Sequence, residues 1–327
     1  DAINNIISYS NKDTLENIIL RSTVPIGTCD FLNEFIFEKY NLKIDISMCP
    51  ERTIEGNAIE ELGSNPQIIG SYSLKAAIKS YKLFNLLTNS IYIANDPKFA
   101  EIAKLADNTY RDIKFAYSNF LAVVAQNLNL VGSDIIQFMN QDYERNDLAS
   151  PSPGVGGPCL SKDAFLFKSG LDSLEIENSE FILTGRNQDE CVMTFISDTI
   201  REHCHKLAAQ KIAIAGLSFK GYPETSDIRD SSTLKLIDKL KDDFRINVFD
   251  PIADQDQKIS NFARLEFNEF CIDCGALIIM NNNPQYASLN WDYVLKMLKK
   301  KALVIDGWNV LERFNVAVSY DLIFRQL

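Results

Sequence analysis

In the first part of the chain, short apolar runs alternate with stretches whose apolar positions recur every third or fourth residue. ENIILRSTV reads as a strand ending in a turn at Pro25 and Gly27, CDFLNEFIFEKY as a helix, and KIDISMCPE as a second strand. PQIIGS and SIYIAN predict further strands on either side of the helical SLKAAIKSYKLFNLL. Such alternation predicts an α/β layer with a largely parallel sheet. The pattern changes near Asp96. From Pro97 to Leu130 there is no glycine, and apolar residues recur at i, i+3 and i+4. That predicts one helix of about 30 residues, far above the average length and suited to packing against a second subunit. Residues 146–158, NDLASPSPGVGGP, break all regularity. Helical patterning returns at Ser161 and again over 188–207. From Lys211, the strand KIAIAGL, the helix SDIRDSSTLKLIDKLKDD and the strands INVFDP, GALIIM and KALVIDGW form a Rossmann-type, nucleotide-binding arrangement. The expected organisation is α/β in three parts: 1–95, 96–207 around the long helix, and 208–327.

A length of 327 residues suits two or three domains. Hydrophobic residues at 46% and charged residues at 24% are ordinary for a soluble globular chain. A net charge of −11 argues against nucleic acid and against anionic membranes as partners, while leaving room for a local basic pocket. No apolar run approaches the roughly 18–20 residues that span a bilayer. The opening DAINNIISYSNKD lacks the zones of a secretion signal. Seven widely spaced cysteines do not form a disulfide framework, so a cytoplasmic location is expected.

Four segments carry candidate chemistry. In PGVGGPCLSKD (residues 153–163), Gly154, Gly156 and Gly157 let the backbone approach a ligand. Cys159 then opens a short helix, with Lys162 and Asp163 on its side, and a helix start with a nearby lysine favours a thiolate. Taken singly, it reads more readily as a buried cysteine beside a structural loop. In the long helix, Lys104 and Asn108 share a face; alone they could be solvated surface, but Tyr110, Arg111 and Asp112 add more polar detail than a plain amphipathic helix needs. RSTVPIGT and CPERTIEG follow predicted strands, where open α/β sheets place ligands, making Ser22, Thr23 and Glu55 candidate contacts or plain turn and cap residues. GLSFKGYPETSDIRDSS runs from a strand through Lys220 to a helix start with Asp227, Arg229 and Ser231. It is neither a Walker loop nor a dinucleotide fingerprint, yet it could hold a phosphate. Cys271 and Cys274 form a lone CxxC, and no zinc site is expected, the His203–Cys204–His205 cluster notwithstanding.

Taken jointly, the order S-T-V-P-x-G-T, P-E-R-x-x-x-G, A-E-x-x-K-L-x-x-N-T-Y-R-D, G-V-G-G-x-C-x-x-x-D and G-L-x-F-K…D-x-R-x-S resembles the UDP-glucose/UDP-N-acetylmannosamine dehydrogenase family over essentially the whole chain. The resemblance implies an NAD-dependent, four-electron oxidation of a UDP-sugar at C6 to the uronic acid. Cys159 would be the nucleophile, passing through a thiohemiacetal and a thioester. Lys104 and Asn108 would stabilise oxyanion character, Asp163 would be the general base, and Thr23 and Glu55 would order water beside the nicotinamide. Lys162 and Arg229 would approach NAD. Glu51 and Lys220 would touch substrate, as would Leu148, Ala149, Ser150, Pro151, Ser152 and Gly156 of the loop that wraps the nucleotide sugar. Arg145 aligns with an arginine supplied across a dimer built on the long helix, and the last domain would bind UDP.

Departures from the family pattern set further expectations. The family's opening G-x-G-Y-x-G-L is absent, so most of the N-terminal NAD-binding domain, roughly 80–100 residues at some 30 per strand–helix unit, is expected to be lacking. Pro158 stands where relatives often carry His or Tyr, Ala164 where Pro is common, and NNNPQY (281–286) lacks a usual His. S-T-V-P-x-G-T, PSPGVGG and D-I-R-x-S lean toward an N-acetylhexosamine, whereas Lys162–Asp163 resembles the UDP-glucose branch. A non-catalytic nucleotide-sugar-binding scaffold is the alternative.

Overall fold

Strand and helix signals alternate along the chain and fold into strands that share two sheets. The computed structural model describes residues 1–11, 14–253, 262–313, 316 and 322–326. In chain order the elements are α1 (Ala2–Tyr9), β1 (Asn17–Leu20), α2 (Thr28–Tyr40), β2 (Asp45–Met48), α3 (Ala58–Ser64), β3 (Gln67–Ser71), α4 (Leu74–Phe84) and β4 (Ile91–Ala94). The helices α5 (Pro97–Asn127), α6 (Gly132–Asn140), α7 (Leu160–Ser173) and α8 (Thr184–Lys206) follow. The remainder is β5 (Lys211–Ala215), α9 (Ser232–Leu240), β6 (Arg245–Phe249), β7 (Ala263–Arg264), β8 (Ala276–Ile279), α10 (Trp291–Leu295), β9 (Leu303–Asp306), α11 (Val310–Arg313) and β10 (Ile323–Gln326). They gather into two compact units, Asp1–Thr109 with Asp163–Ile182, and Tyr110–Lys162 with Leu183–Leu327.

The first unit holds a four-stranded sheet in the order β1-β2-β3-β4. β1 pairs parallel with β2, and β3 with β4, but β2 and β3 run antiparallel. Strand–helix alternation had suggested a largely parallel layer. That cue does not separate a crossover helix from the short α3 that turns the chain back. Ile18, Ile46 and Met48 pack with Ile36 of α2 and Ala100 of α5, while Cys49, Ile69, Ala77 and Phe84 form a separate cluster. Gly70 of β3 lets α5 begin close to the sheet, because a Cβ there would stand 2.8 Å from the Pro97 Cα. Glu101, fully buried on α5, caps α2: its Oε2 accepts from Gly27 N–H (2.6 Å) and its Oε1 from Cys29 N–H (2.9 Å).

The second unit holds six parallel strands in the order β10-β9-β8-β5-β6-β7. Successive residues of a strand point to opposite faces, and both faces are apolar here, as a doubly covered parallel sheet requires. Ile212, Ile214, Ile278 and Ile305 join the buried side chains of α8 and α9, while Ala213, Ala215, Leu277 and Val304 pack with Phe267, Phe270 and Trp291. The helix expected from Ser226 begins instead at Ser232, capped by the Ser231 hydroxyl, which accepts from Thr233 N–H (3.1 Å). Asp227 explains the delay. Its carboxylate takes the Arg229 N–H (2.9 Å) and its carbonyl takes the Phe219 N–H (3.0 Å), a local bonding pattern that competes with helix. The helix after Cys159, by contrast, is longer than expected, at 14 residues.

The Glu101 cap sets a stability expectation. Glu101→Ala leaves two backbone donors of α2 unpaired and should lower stability by about 2–4 kcal/mol. Glu101→Gln keeps one acceptor and should lose clearly less. Urea unfolding midpoints of the two variants check the order.

Candidate functional site

Because β1 and β2 are parallel, the segments that leave them emerge at the same carboxyl edge of the first sheet. After β1 come Arg21, exposed Ser22 and half-buried Thr23; after β2 come Glu51 and, further on, exposed Glu55. Glu51 organises its own loop. Its Oε1 accepts from the N–H groups of Arg52 and Thr53, both at 2.9 Å, and its Oε2 pairs with the Arg21 guanidinium. Burial pushes the Glu51 carboxyl up, but the Thr53 N–H and Arg21 outweigh it and hold the group below the usual carboxylate range. Arg21 lies over the Phe84 ring at 5.0 Å. Arg52 reaches Asp107 of α5, and Ile54 N–H donates to Glu61 (2.7 Å), so the segment leading to Glu55 is tied down at both ends.

The same unit joins two residues singled out from separate motifs. Asn108 Nδ2 donates to Asp163 Oδ2 at 2.6 Å, with Asn108 7% and Asp163 0% exposed. A buried carboxylate needs such a donor, and an amide supplies one without adding charge. Lys104 sits a turn earlier on α5, half-buried, four positions from Asn108 and on its face.

In the second unit the irregular loop 148–157 is held throughout. Leu148 exchanges two 2.9 Å bonds with the Asn140 side chain, and Ser152 N–H donates to Asn119 Oδ1 at 2.7 Å. Pro151, Ser152 and Pro153 are buried, Ala149 and Gly156 half-buried, and Ser150 exposed. Gly157, at φ +98°, is pressed by the Phe219 ring, 2.7 Å from where a Cβ would stand. Exposed Cys159 is the last residue before α7, and Lys162 N–H bonds back to its carbonyl (3.3 Å). Lys162 is exposed. Exposed Arg145 lies over the Tyr143 ring at 4.7 Å.

At the carboxyl edge of the second sheet, Asp250 accepts from the N–H groups of Leu217 (2.6 Å) and Ser218 (2.9 Å), shaping the turn after β5. Several buried polar atoms near this edge lack a protein partner: Ser218 Oγ, Ser232 Oγ, Asn281 Oδ1, Asn283 Nδ2 and the Tyr286 hydroxyl. Groups of this kind call for water or a polar ligand. Lys220 stands over the Phe219 ring at 5.6 Å, and Arg229 folds back onto Asp227. None of the sequence motifs pointed to Asn119, Asp189 or Arg186, whose only signal is a polar residue at a position that helical periodicity assigns to the interior, and Glu101 stood in the quoted motif A-E-x-x-K-L without being singled out.

Five of the other cysteines are buried, unlike Cys159 and Cys191. Burial pushes the Cys49 thiol up to about 12, Cys204 to about 11 and Cys274 to about 12, and raises Cys29 and Cys271 as well. Cys271 and Cys274 lie in the apolar core, and among the described residues no group of three or more His, Cys, Asp or Glu could hold a metal. No helix is long and apolar enough among them to cross a membrane.

Three models of one family cover most of the sequence. The NAD binding domain of the UDP-glucose/GDP-mannose dehydrogenase family matches residues 1–88, the central domain 98–188 and the UDP binding domain 213–313. The expectation that most of the NAD-binding domain is lacking is thereby overturned. It rested on one glycine motif, whereas the match runs through β1, β2 and β3 and the loops between them. A UDP-N-acetyl-D-mannosamine dehydrogenase from Methanococcus aeolicus is 28% identical across 98% of this chain and 73% of its own length. A solved UDP-D-ManNAc dehydrogenase from Pyrococcus horikoshii superposes with a TM-score of 0.85 at 27% identity, covering 99% of this chain and 75% of that one. A UDP-N-acetyl-mannosamine dehydrogenase from Staphylococcus aureus does so at 0.80 and 27%, covering 99% and 74%.

Native-state alkylation checks the cysteine contrast. Iodoacetamide at pH 8 should modify Cys159 and Cys191, the two exposed thiols, and leave the five buried ones until the protein is unfolded. Peptide mass spectrometry showing a buried cysteine modified as fast as Cys159 would contradict the burial described above.

Proposed function

We propose, from the premise that the chain belongs to the UDP-glucose/GDP-mannose dehydrogenase family, that it is an NAD-dependent oxidoreductase converting the C6 hydroxyl of a UDP-N-acetylhexosamine to the uronic acid. The observation that carries the reading is the buried Asn108–Asp163 hydrogen bond. It joins side chains 55 residues apart, each from a motif whose order defines the family resemblance. The relatives' substrates favour an N-acetylmannosamine or a related sugar. Domain limits of 1–95, 96–207 and 208–327 belong to the same reading.

The residues present fit the nicotinamide end of NAD. Thr23 offers a hydroxyl that donates and accepts, and Glu55 a carboxylate that accepts, at the carboxyl edge of β1 and β2, a pair suited to a ribose and a carboxamide. The N-terminus of α2 is not a diphosphate seat, since Glu101 already takes its N–H groups. Lys162 and Arg229 are the cations assigned to the cofactor. Bound NAD supplies the hydride acceptor for both oxidations.

Asp163 accepts the proton of the C6 hydroxyl as the first hydride leaves, giving the aldehyde. Cys159 Sγ adds to the aldehyde carbon, a C–S bond replacing the carbonyl π bond, and Lys104 and Asn108 stabilise the oxyanion that forms. Loss of a second hydride and of the hydroxyl proton leaves a thioester. Water ordered by Thr23 and Glu55 adds to it, the C–S bond breaks, and the thiolate and the uronate separate. Only sulfur traps an aldehyde well and still leaves readily from the acyl stage. Glu51, Lys220, Arg145 and residues 148–152 with Gly156 make up the nucleotide-sugar contacts of this reading.

A homodimer through α5 and a cytoplasmic location complete it. Tyr110, Tyr117 and Val124, seven positions apart, are exposed together with Phe120, which is a helix face suited to a second copy. The seven unbridged cysteines suit a reducing compartment.

Two experiments test the proposal. NADH absorbance with a panel of UDP-sugars should rise with a UDP-N-acetylhexosamine and far less with UDP-glucose, and Cys159→Ser should cut uronate formation at least about a thousandfold. Undiminished turnover in that variant sinks the nucleophile assignment. Preference for UDP-glucose overturns the sugar class, and tight UDP-sugar binding without NADH makes the chain a scaffold. In sedimentation velocity, Tyr117→Glu with Phe120→Asp should convert a dimer to monomer; an unchanged dimer would move the interface elsewhere.

A further inference from the structure

We infer that Asp112, Arg186, Asp189 and Lys235 form a clamp that presets the backbone of loop 152–157 for the nucleotide sugar, with Asp189 as the residue on which the clamp turns. The inference rests on the assignment of that loop to the substrate under the proposed function. No motif of the sequence marks these side chains as a set.

The loop is rich in Pro and Gly and offers little apolar surface by which a core could anchor it. Its fixed point is Val155, whose two backbone polar groups are both taken by α8. Asp189 Oδ1 accepts the Val155 N–H at 2.6 Å, and Arg186 Nη1 donates to the Val155 carbonyl at 3.2 Å. The two side chains are three residues apart on the helix and so lie on one face. Each is held in turn by a second partner. Arg186 grips Asp112 of α5 with Nε and Nη2, their side chains 8% and 1% exposed, and Lys235 Nζ of α9 meets Asp189 Oδ2 at 2.8 Å. Three helices therefore fix the backbone of one residue, Val155, on both sides of its Cα.

Two glycines are cut to this arrangement. A Cβ on Gly154, which adopts φ +88°, would stand 2.9 Å from Asp189 Oδ1; one on Gly185 would stand 2.3 Å from Asp112 Oδ2. The clamp contains two carboxylates and two cations, and its carboxylates and guanidinium are buried. A buried ionic cluster is often no more stabilising than an apolar replacement of the same shape. What it does provide is a single geometry. A loop ordered before the ligand arrives spares binding the entropy of ordering it afterwards. Asp189 and Arg186 are thus positioning residues, acting through Val155 rather than on the substrate.

The test compares Asp189→Ala, Asp189→Asn and Arg186→Lys with the parent by hydrogen exchange and by calorimetric titration with UDP-N-acetylmannosamine. Asp189→Asn keeps an oxygen for the Val155 N–H. Asp189→Ala should raise the exchange of the Val155 amide and raise the Kd for the UDP-sugar roughly tenfold or more, while Asp189→Asn restores most of both. Arg186→Lys, which loses the planar two-point grip, should fall between. Equal losses in Asp189→Ala and Asp189→Asn, exchange raised evenly across the second unit, or unchanged Val155 exchange in folded Asp189→Ala would each overturn the clamp. If the parent binds no UDP-sugar, the proposed function fails on its own, and Val155 exchange in ligand-free protein still decides whether the clamp exists.

Discussion

A single stripe of buried polar side chains along α5 is the constraint on which the rest depends. Glu101, Asn108, Asp112 and Asn119 are all buried, and their spacings of seven, four and seven residues keep them on one face of the helix. Each makes a different connection: Glu101 to the start of α2, Asn108 to Asp163, Asp112 to Arg186 and Asn119 to Ser152. Apolar contacts would hold a helix of this length in place without fixing its rotation or register. Directional bonds fix both within each unit, Glu101 and Asn108 in the first and Asp112 and Asn119 in the second, since a turn of the helix by one residue would part each group from its partner.

Such a stripe is costly if any member fails, and the chain supplies a partner for each. Two members are charged. Glu101 meets backbone N–H groups, and Asp112 meets a guanidinium in the two-point geometry that suits a carboxylate. Burial still raises the Asp112 carboxyl against the opposing pull of Arg186, which marks how dry its surroundings are. The other two members are asparagines, which donate and accept without bringing a charge into the interior. Asn108 uses the donor end toward a carboxylate, and Asn119 uses the acceptor end toward a backbone N–H. One residue type thus serves opposite needs at two points of the same helix.

How far the sequence disclosed this follows from what each signal encodes. The long helix, the four strands KIAIAGL, INVFDP, GALIIM and KALVIDGW, and the glycine loop before Cys159 were legible because periodicity and Pro/Gly punctuation report local geometry directly, while the short edge strands β7 and β10 carried no such signal. Asn108 and Asp163 were legible only as members of motifs; that they meet is a tertiary fact. The antiparallel β2–β3 pairing was hidden, since strand direction depends on how a connection folds and not on the strands' own residues. So was the late start of α9, where the Asp227 carboxylate, a short-range competitor for backbone N–H groups, overrides the helical pattern from Ser226 onward. Arg186 and Asp189 were passed over because on a helix with both apolar and charged residues a polar position reads as surface until burial is known. The NAD-binding domain was judged from one absent glycine motif, although RSTVPIGT and CPERTIEG belong to residues 1–88 and speak for it.

The same reasoning separates Cys159 from the other exposed thiol. Cys191 lies within α8, where the backbone N–H groups of its turn are already spent on intrahelical bonds. Cys159 directly precedes α7, at the end where the helix dipole is positive, and the Ser161 and Lys162 N–H groups there turn back to the Gly157 and Cys159 carbonyls. A negative charge is favoured by the dipole at the second position and not at the first. The Pro and Gly residues that bring the chain to this point contribute no chemistry, but they let the backbone turn sharply enough to end at a helix start. Position in the fold, and not exposure, is what distinguishes the two exposed cysteines from each other.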